Sequence, residues 1–248
     1  MRVVTPSVNC AAFLEITLPV WRRLLSEAWF TVVTSAEDTD TQRVARDNGV
    51  HCFITDAWKR VDPTCHYDSR PVTFNKALAL DEAFGFWKSE VGCRKSEVRE
   101  GDLCLSLDAD CYPFGEWPWH PIELGVIYSC ARYHCPTLAM LAEHIAGTLP
   151  RESMEVILPR RRGESWPDYE PHSAESVQRA GRRCLGFFQL FRYRPGLRFG
   201  SFPTAGKYDL VFRDRFSRRV VLQDFYVLHL GEQSRAHWRG HPAPVVWP

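Results

Sequence analysis

The sequence predicts an α/β fold with a mostly parallel sheet. Short β-branched and apolar runs alternate with amphipathic helical stretches from the N-terminus onward. The strand runs are apolar on both faces, as in parallel sheets covered by helices. The ordinary composition, 45% hydrophobic and 25% charged over 248 residues, suits a globular chain large enough to bury its own core without disulfides or metal.

The elements follow in order. Arg2–Thr5 is a short strand ended by Pro6. Pro19 to Ala28 reads as a helix, with Thr17 as its cap and Pro19 in the first turn. Phe30–Thr34 is a strand. Asp38 and Thr39 open a helix over Thr41 to Asn48, which Gly49 stops in the left-handed conformation. Val50–Ile54 is a third strand and Phe74 to Lys88 a longer helix. Val91–Gly101 is a polar connection, and Asp102 precedes the strand Leu103–Leu107.

The second half is less regular. Val126–Cys130, Cys184–Phe191 and Val220–Leu230 read as strands, with helices at Thr137–Ala146 and Ala205–Phe216. Pro150–Ala180 is polar and almost without period, and reads as a long mobile loop of the kind that closes over sites. No linker separates the halves, so residues 1–248 read as one domain. Within it, residues 1–115 read as an acidic portion and 116–248 as a basic one.

No apolar run is long enough to span a membrane. The first residues do not form a signal peptide. Nine scattered cysteines without C-x-x-C fit a reducing, cytoplasmic setting. The group Cys130, His134, Cys135 and His144 has no common zinc spacing and reads better as buried thiols with surface histidines.

Net charge is only +1 but unevenly spread. Residues 1–150 carry 14 Lys/Arg against 20 Asp/Glu, and residues 151–248 carry 17 against 10. Eleven of the basic residues lie between Arg179 and Arg219, interleaved with aromatics. Such a stretch suits a phosphate-bearing partner, or else is a solvated arginine-rich face.

The most informative segment is Gly101-Asp-Leu-Cys-Leu-Ser-Leu-Asp108-Ala109-Asp110. A buried strand runs directly into two aspartates separated by one small residue. In open α/β sheets ligands bind beyond the carboxyl ends of the strands. Two carboxylates there are hard oxygen ligands for Mg²⁺ or Mn²⁺, which in turn bridge to a diphosphate. The plainer reading is a solvated turn with two capping aspartates.

This segment resembles the strand and D-x-D motif of GT-A-fold glycosyltransferases, the family 2-like group in particular. Val33–Val50 is similar to that group's second strand and following helix, and Phe74–Asp81 to its donor-side helix. Gly186–Phe191 and Ala205–Phe212 are weaker likenesses to acceptor-side motifs. Leu228-His229-Leu230-Gly231, followed by Trp238, resembles the terminal segment that returns a histidine to the metal.

The resemblance implies a metal-dependent transferase that moves a sugar from a nucleoside diphosphate, UDP by family default, to a hydroxyl. It assigns Asp110, Asp108 and His229 to Mn²⁺ or Mg²⁺, with Asp108 also touching the donor. Thr5, Ser7, Ser35, Asp38 and Lys76 fall in the donor pocket, with Lys76 at the diphosphate. Asp209 becomes the general base, with Asp214 and Asp224 as rivals. The chain departs from the family after the second strand, where Thr34 and Ser35 replace the usual acidic pair and Glu37 and Asp38 come slightly later. Trp117 and Trp119 either stack on a sugar or, the better reading, pack beneath a loop.

The acceptor is read from the basic half. Arg192, Arg194, Arg198 and Gln189 are the candidates for contacting DNA, on a looser resemblance to phage enzymes that glycosylate 5-hydroxymethylcytosine. The rival acceptor is a lipopolysaccharide or capsule glycan built by a bacterial enzyme. A non-catalytic nucleic-acid-binding module explains the basic stretch but not two carboxylates at a strand end. A nucleotidyltransferase would carry a glycine-rich loop after the first strand, and Val4–Asn9 contains no glycine.

Overall fold

The computed structural model describes residues 1–63, 74–85, 98–118, 121–158, 169–182, 186–202 and 208–231. One sheet runs through them. Its strands are β1 (Arg2–Pro6), β2 (Trp29–Thr34), β3 (His51–Ile54), β4 (Leu103–Leu107), β5 (Cys111–Gly115), β6 (Val126–Cys135), β7 (Glu155–Ile157), β8 (Tyr169–Pro171), β9 (Phe188–Arg192) and β10 (Arg218–Leu230). The spatial order is β3-β2-β1-β4-β9-β6-β10-β5, with β7 on β6 and β8 on β7. The first four positions are parallel. β9 enters antiparallel between β4 and β6, β6 and β10 are parallel, and β5 closes the edge antiparallel to β10.

Helices cover both faces. Strand alternation sends Val3, Val32, Leu105 and Leu107 to one side and Val4, Val33 and Cys104 to the other. The first side packs under α1 (Ala11–Leu24) and α2 (Thr39–Asp47), through Leu14, Leu18, Trp21, Val44 and Ala45. The second packs under α3 (Lys76–Phe84) and α6 (Tyr208–Arg213), through Ala77, Leu78, Leu80, Phe84 and Phe212. α4 (Leu138–Ile145) and α5 (Ala174–Arg182) lie at the β6–β8 end.

Several elements differ from expectation. α1 begins at Ala11 and carries Pro19 in its interior. Its buried stripe, Phe13, Leu14, Thr17, Leu18 and Trp21, outweighs the roughly 3 kcal/mol a mid-helix proline costs. Thr17 is therefore no cap; its hydroxyl donates to Phe13 O at 3.1 Å and to Ala109 O at 2.7 Å. The segment 150–180 is not a featureless loop, because β7, β8 and α5 fall within it. Of that stretch, 159–168, with Arg160 to Arg162, lies outside the described residues.

The helix expected from Phe74 starts at Lys76 behind an Asn75 cap and ends at Gly85, in the left-handed conformation. β5 was not anticipated, since Pro113 breaks its pattern; an edge strand tolerates proline. At its end Gly115 has φ +85°, and a Cβ there would stand 1.9 Å from Asp224 O. That close approach goes with the register shift between Leu222 and Tyr226 on β10. The expected histidines of the cysteine-rich stretch also differ: His144 is buried, with Nδ1 2.7 Å from Leu149 O and Nε2 2.8 Å from the Tyr226 hydroxyl. Trp117 packs beneath the sheet against Trp21, Phe188 and Phe225, and Trp119 lies outside the described residues.

Candidate functional site

The Asp108–Asp110 turn joins β4 to β5 at the carboxyl end of the parallel strands. Its backbone is held from three directions. The Asp108 N–H donates to Phe187 O at 3.0 Å, just before β9, and Leu230 N on β10 donates to Asp110 O at 2.8 Å. From the helical side, Thr17 bonds Ala109 O, and Trp21 Nε1 donates to Cys111 O at 2.7 Å.

The two carboxylates meet opposite partners. Lys76, the first residue of α3, pairs its ammonium with Asp108 Oδ1. Burial works most strongly against the Lys76 charge, but the Asp108 carboxylate and the Tyr208 hydroxyl together outweigh it and hold the amine above its ordinary range. Burial raises the Asp108 carboxyl, with Lys76 pulling it back and Asp110 pushing it further up. His229, on β10 between two leucines, brings Nε2 to 3.1 Å from Asp110 Oδ2. A histidine in that apolar setting reads first as core; here its ring faces the turn.

The residues expected on the donor side lie nearby, with unequal freedom. Thr5 and Ser7 are buried where β1 ends, and Ser7 N donates to Val33 O at 2.8 Å. The Ser7 hydroxyl has no partner among the described residues. Ser35 is buried, and its carbonyl accepts from Gln42 Nε2 at 2.9 Å. Asp38 is a brace: it accepts from Asn9 N at 2.6 Å, Thr34 Oγ1 at 3.0 Å and Thr41 N at 3.1 Å. It caps α2 and fixes the loop after β1, where Asn9 takes φ +56°.

Asp209, the second residue of α6, accepts from Gly186 N at 3.1 Å and Leu210 N at 2.9 Å. Burial raises its carboxyl above the usual range, against those two backbone donors. Gly186 is required here, since a Cβ would stand 2.2 Å from the Tyr208 hydroxyl. The Lys76 ammonium in turn lies 5.6 Å from the centre of the Tyr208 ring.

Part of the basic stretch is folded inward, while Arg194, Arg218 and Arg219 stay exposed. Arg192 donates to Ile122 O at 2.6 Å and to Gly101 O at 2.5 Å. Arg198 bridges two fully buried carboxylates, Asp62 at 3.0 Å and Asp81 at 3.3 Å. Gln189 is buried on β9, and its amide donates to Asp209 O at 3.3 Å. Arg194 is exposed and donates to Arg215 O. Arg192, Arg198 and Gln189 are thus each engaged by the fold itself.

Three residues near the turn were missed by sequence reasoning. Cys10 lies close enough to Asp110, Asp38 and Asp108 for them to add to burial in pushing its thiol up to about 12. Arg132 and His134 come in by sheet register, His134 standing opposite His229. Only the correct alignment of β6 with β10 could have found them.

Among the described residues no three His, Cys, Asp or Glu side chains form a ready cage. Asp110 and His229 nevertheless offer a carboxylate and an imidazole side by side, donors that suit Mn²⁺ or Mg²⁺ with phosphate and water completing the shell. The residues fit such an ion.

No protein-family model matches the chain, and no curated protein matches it. Among solved structures it is similar to glucosyl-3-phosphoglycerate synthase from Mycobacterium tuberculosis. The complex of that enzyme with Mn²⁺, uridine-diphosphate-glucose and phosphoglyceric acid gives a TM-score of 0.39 at 13% identity, over 93% of this chain and 69% of that one. A second structure of the enzyme gives 0.39 and 13%, over 98% and 73%. A likeness this distant fixes neither activity nor substrate.

Proposed function

We propose that the chain is a metal-dependent glycosyltransferase that moves a sugar from a nucleoside diphosphate, UDP by family resemblance, to an acceptor hydroxyl. The observation that carries this reading is the turn itself. Two carboxylates, an ammonium and an imidazole converge beyond the ends of parallel strands, where α/β sheets bind nucleotides.

Asp110 and His229 would hold the divalent ion, with Asp108 beside them. When bound, such an ion supplies charge neutralisation for a departing diphosphate. Lys76 adds a fixed positive charge, and its burial makes that charge more effective than in water. Thr5, Ser7 and Ser35 line the donor side, and Asp38 keeps their loops in place. Asp209 is the proposed base in an inverting transfer. A carboxyl raised by burial is better matched to accept a hydroxyl proton than an ordinary one.

The acceptor is the open part of this reading. A 5-hydroxymethylcytosine in phage DNA, the first expectation, keeps only the exposed Arg194 of its four contact residues. A bacterial glycan acceptor rests on the basic stretch as a whole, in which Arg194, Arg218 and Arg219 are exposed. No helix among the described residues is long and apolar enough to cross a membrane.

Calorimetric titration of UDP with and without Mn²⁺ tests the proposal. UDP should bind with Mn²⁺ present and at least tenfold more weakly in EDTA. Binding indifferent to the metal, or no binding, refutes it.

A further inference from the structure

Arg132 stands apart from the other arginines around the site. It lies on β6, in register with Val227 of β10, two residues before the His134–His229 pair. Strand alternation puts Arg132 and His134 on one face, and parallel register puts His229 on that face too. The guanidinium carbon lies 4.7 Å from the centre of the Phe187 ring. Phe187 is the residue whose carbonyl holds the Asp108 N–H. The Arg132 charge also pulls down on the Cys111 thiol, next to Asp110, against the burial that raises it. Arg132 therefore sits beside the Asp108–Asp110 turn, on the β9–β10 side, away from the donor loops.

Its partners are what is unusual. Arg192 and Arg194 bond backbone carbonyls, and Arg179, Arg198, Arg213, Arg218 and Arg219 pair with carboxylates. Arg132 forms no ion pair or hydrogen bond among the described residues, and its Nε is buried without an acceptor. The nearby carboxylate of Glu155 is instead 3.7 Å from His134 Nδ1. A buried guanidinium N–H without an acceptor is costly. The planar fork, backed by an aromatic ring, matches a two-oxygen anion.

We infer that Arg132 recognises an oxyanion, a phosphate or carboxylate, carried by the acceptor close to the hydroxyl that receives the sugar. The inference rests on the transferase reading and gives it a substrate class, a small anionic hydroxyl compound. His134 and Tyr169, whose rings lie 4.6 Å apart, flank the position. The phosphate and carboxylate forms share this chemistry, and the test separates them.

Two measurements decide it. In the first, UDP release from UDP-sugars is followed with glucose, glucose 6-phosphate and glucuronate as acceptors. At least one anionic compound should exceed glucose in kcat/KM. Arg132→Met, which keeps a stem on Phe187, should reduce that preference by roughly 10- to 100-fold, the worth of a charge-assisted hydrogen bond; Arg132→Lys should keep part of it. Response to only one of the two anionic compounds assigns phosphate or carboxylate. In the second, inorganic sulfate is titrated by calorimetry into metal-free protein. Wild-type binding should weaken by a similar factor in Arg132→Met, with the far-ultraviolet spectrum of the variant confirming the fold.

Equal use of neutral and anionic acceptors, or sulfate binding identical in the two proteins, overturns the inference. If none of the three acceptors is used, the sulfate titration alone decides. Failure of UDP to bind with Mn²⁺ instead overturns the transferase reading, and the sulfate result still shows whether Arg132 is an anion site.

Discussion

The Asp108–Asp110 turn and the Arg192–Phe202 stretch are both conspicuous for charge, yet the fold treats them in opposite ways. In the turn, the backbone is satisfied by Thr17, Trp21, Phe187 and Leu230, while the carboxylates face an ammonium and an imidazole. In the arginine stretch, Arg192 meets backbone carbonyls and Arg198 is clamped by Asp62 and Asp81. The difference has a chemical root. Guanidinium groups donate only, and a fold is full of carbonyl acceptors for them. Carboxylates accept only, and those of Asp108 and Asp110 meet a side-chain ammonium and an imidazole. In this chain the paired acids at the end of a buried strand mark a site better than the run of arginines does.

Three substitutions would break or sharpen this contrast. On the proposed reading, Asp110→Ala removes a group that holds the ion and should lower transfer by roughly 10²–10³-fold or more. Its melting temperature should stay within a few degrees of wild type, and a large drop there would make Asp110 structural. Arg198→Met should do the reverse. It takes the cation away from two buried carboxylates, so the urea midpoint should fall by an amount equivalent to about 3 kcal/mol. Affinity for a DNA duplex should change little, and a selective loss of DNA binding at unchanged stability would restore the nucleic-acid role. Thr17→Val is the mildest. It removes one hydrogen bond to the turn at nearly constant volume and should cost about 1 kcal/mol in urea unfolding. Loss of UDP affinity beyond that of the folded fraction would show that the turn shifts when unpinned.

The legible part of the fold was the part built from local signals. β1, β2, β3 and β4 each carry a compact apolar run, and α2 has Asp38 and Gly49 at its ends. The start of α1 was hidden because Pro19 imitates a first-turn proline, while the burial that overrides it is tertiary. β7, β8 and α5 were hidden because they are short and polar; α5 buries Val177 and Ala180 as its apolar contacts. In the site, Asp108, Asp110, Lys76 and His229 could be anticipated, because they end strands or open a helix. Arg132 and the true partners of Arg198 could not, because sheet register and loop packing bring them into place from distant parts of the chain.

Helix α1 deserves a last consideration as a strut. Thr17 and Trp21 reach across 92 and 90 residues of sequence to hold the turn carbonyls. The loop that feeds the same helix contains Ser7 and Asn9. Helix α1 therefore ties the loop after β1 to the acidic turn, so a change that displaces the helix displaces both together.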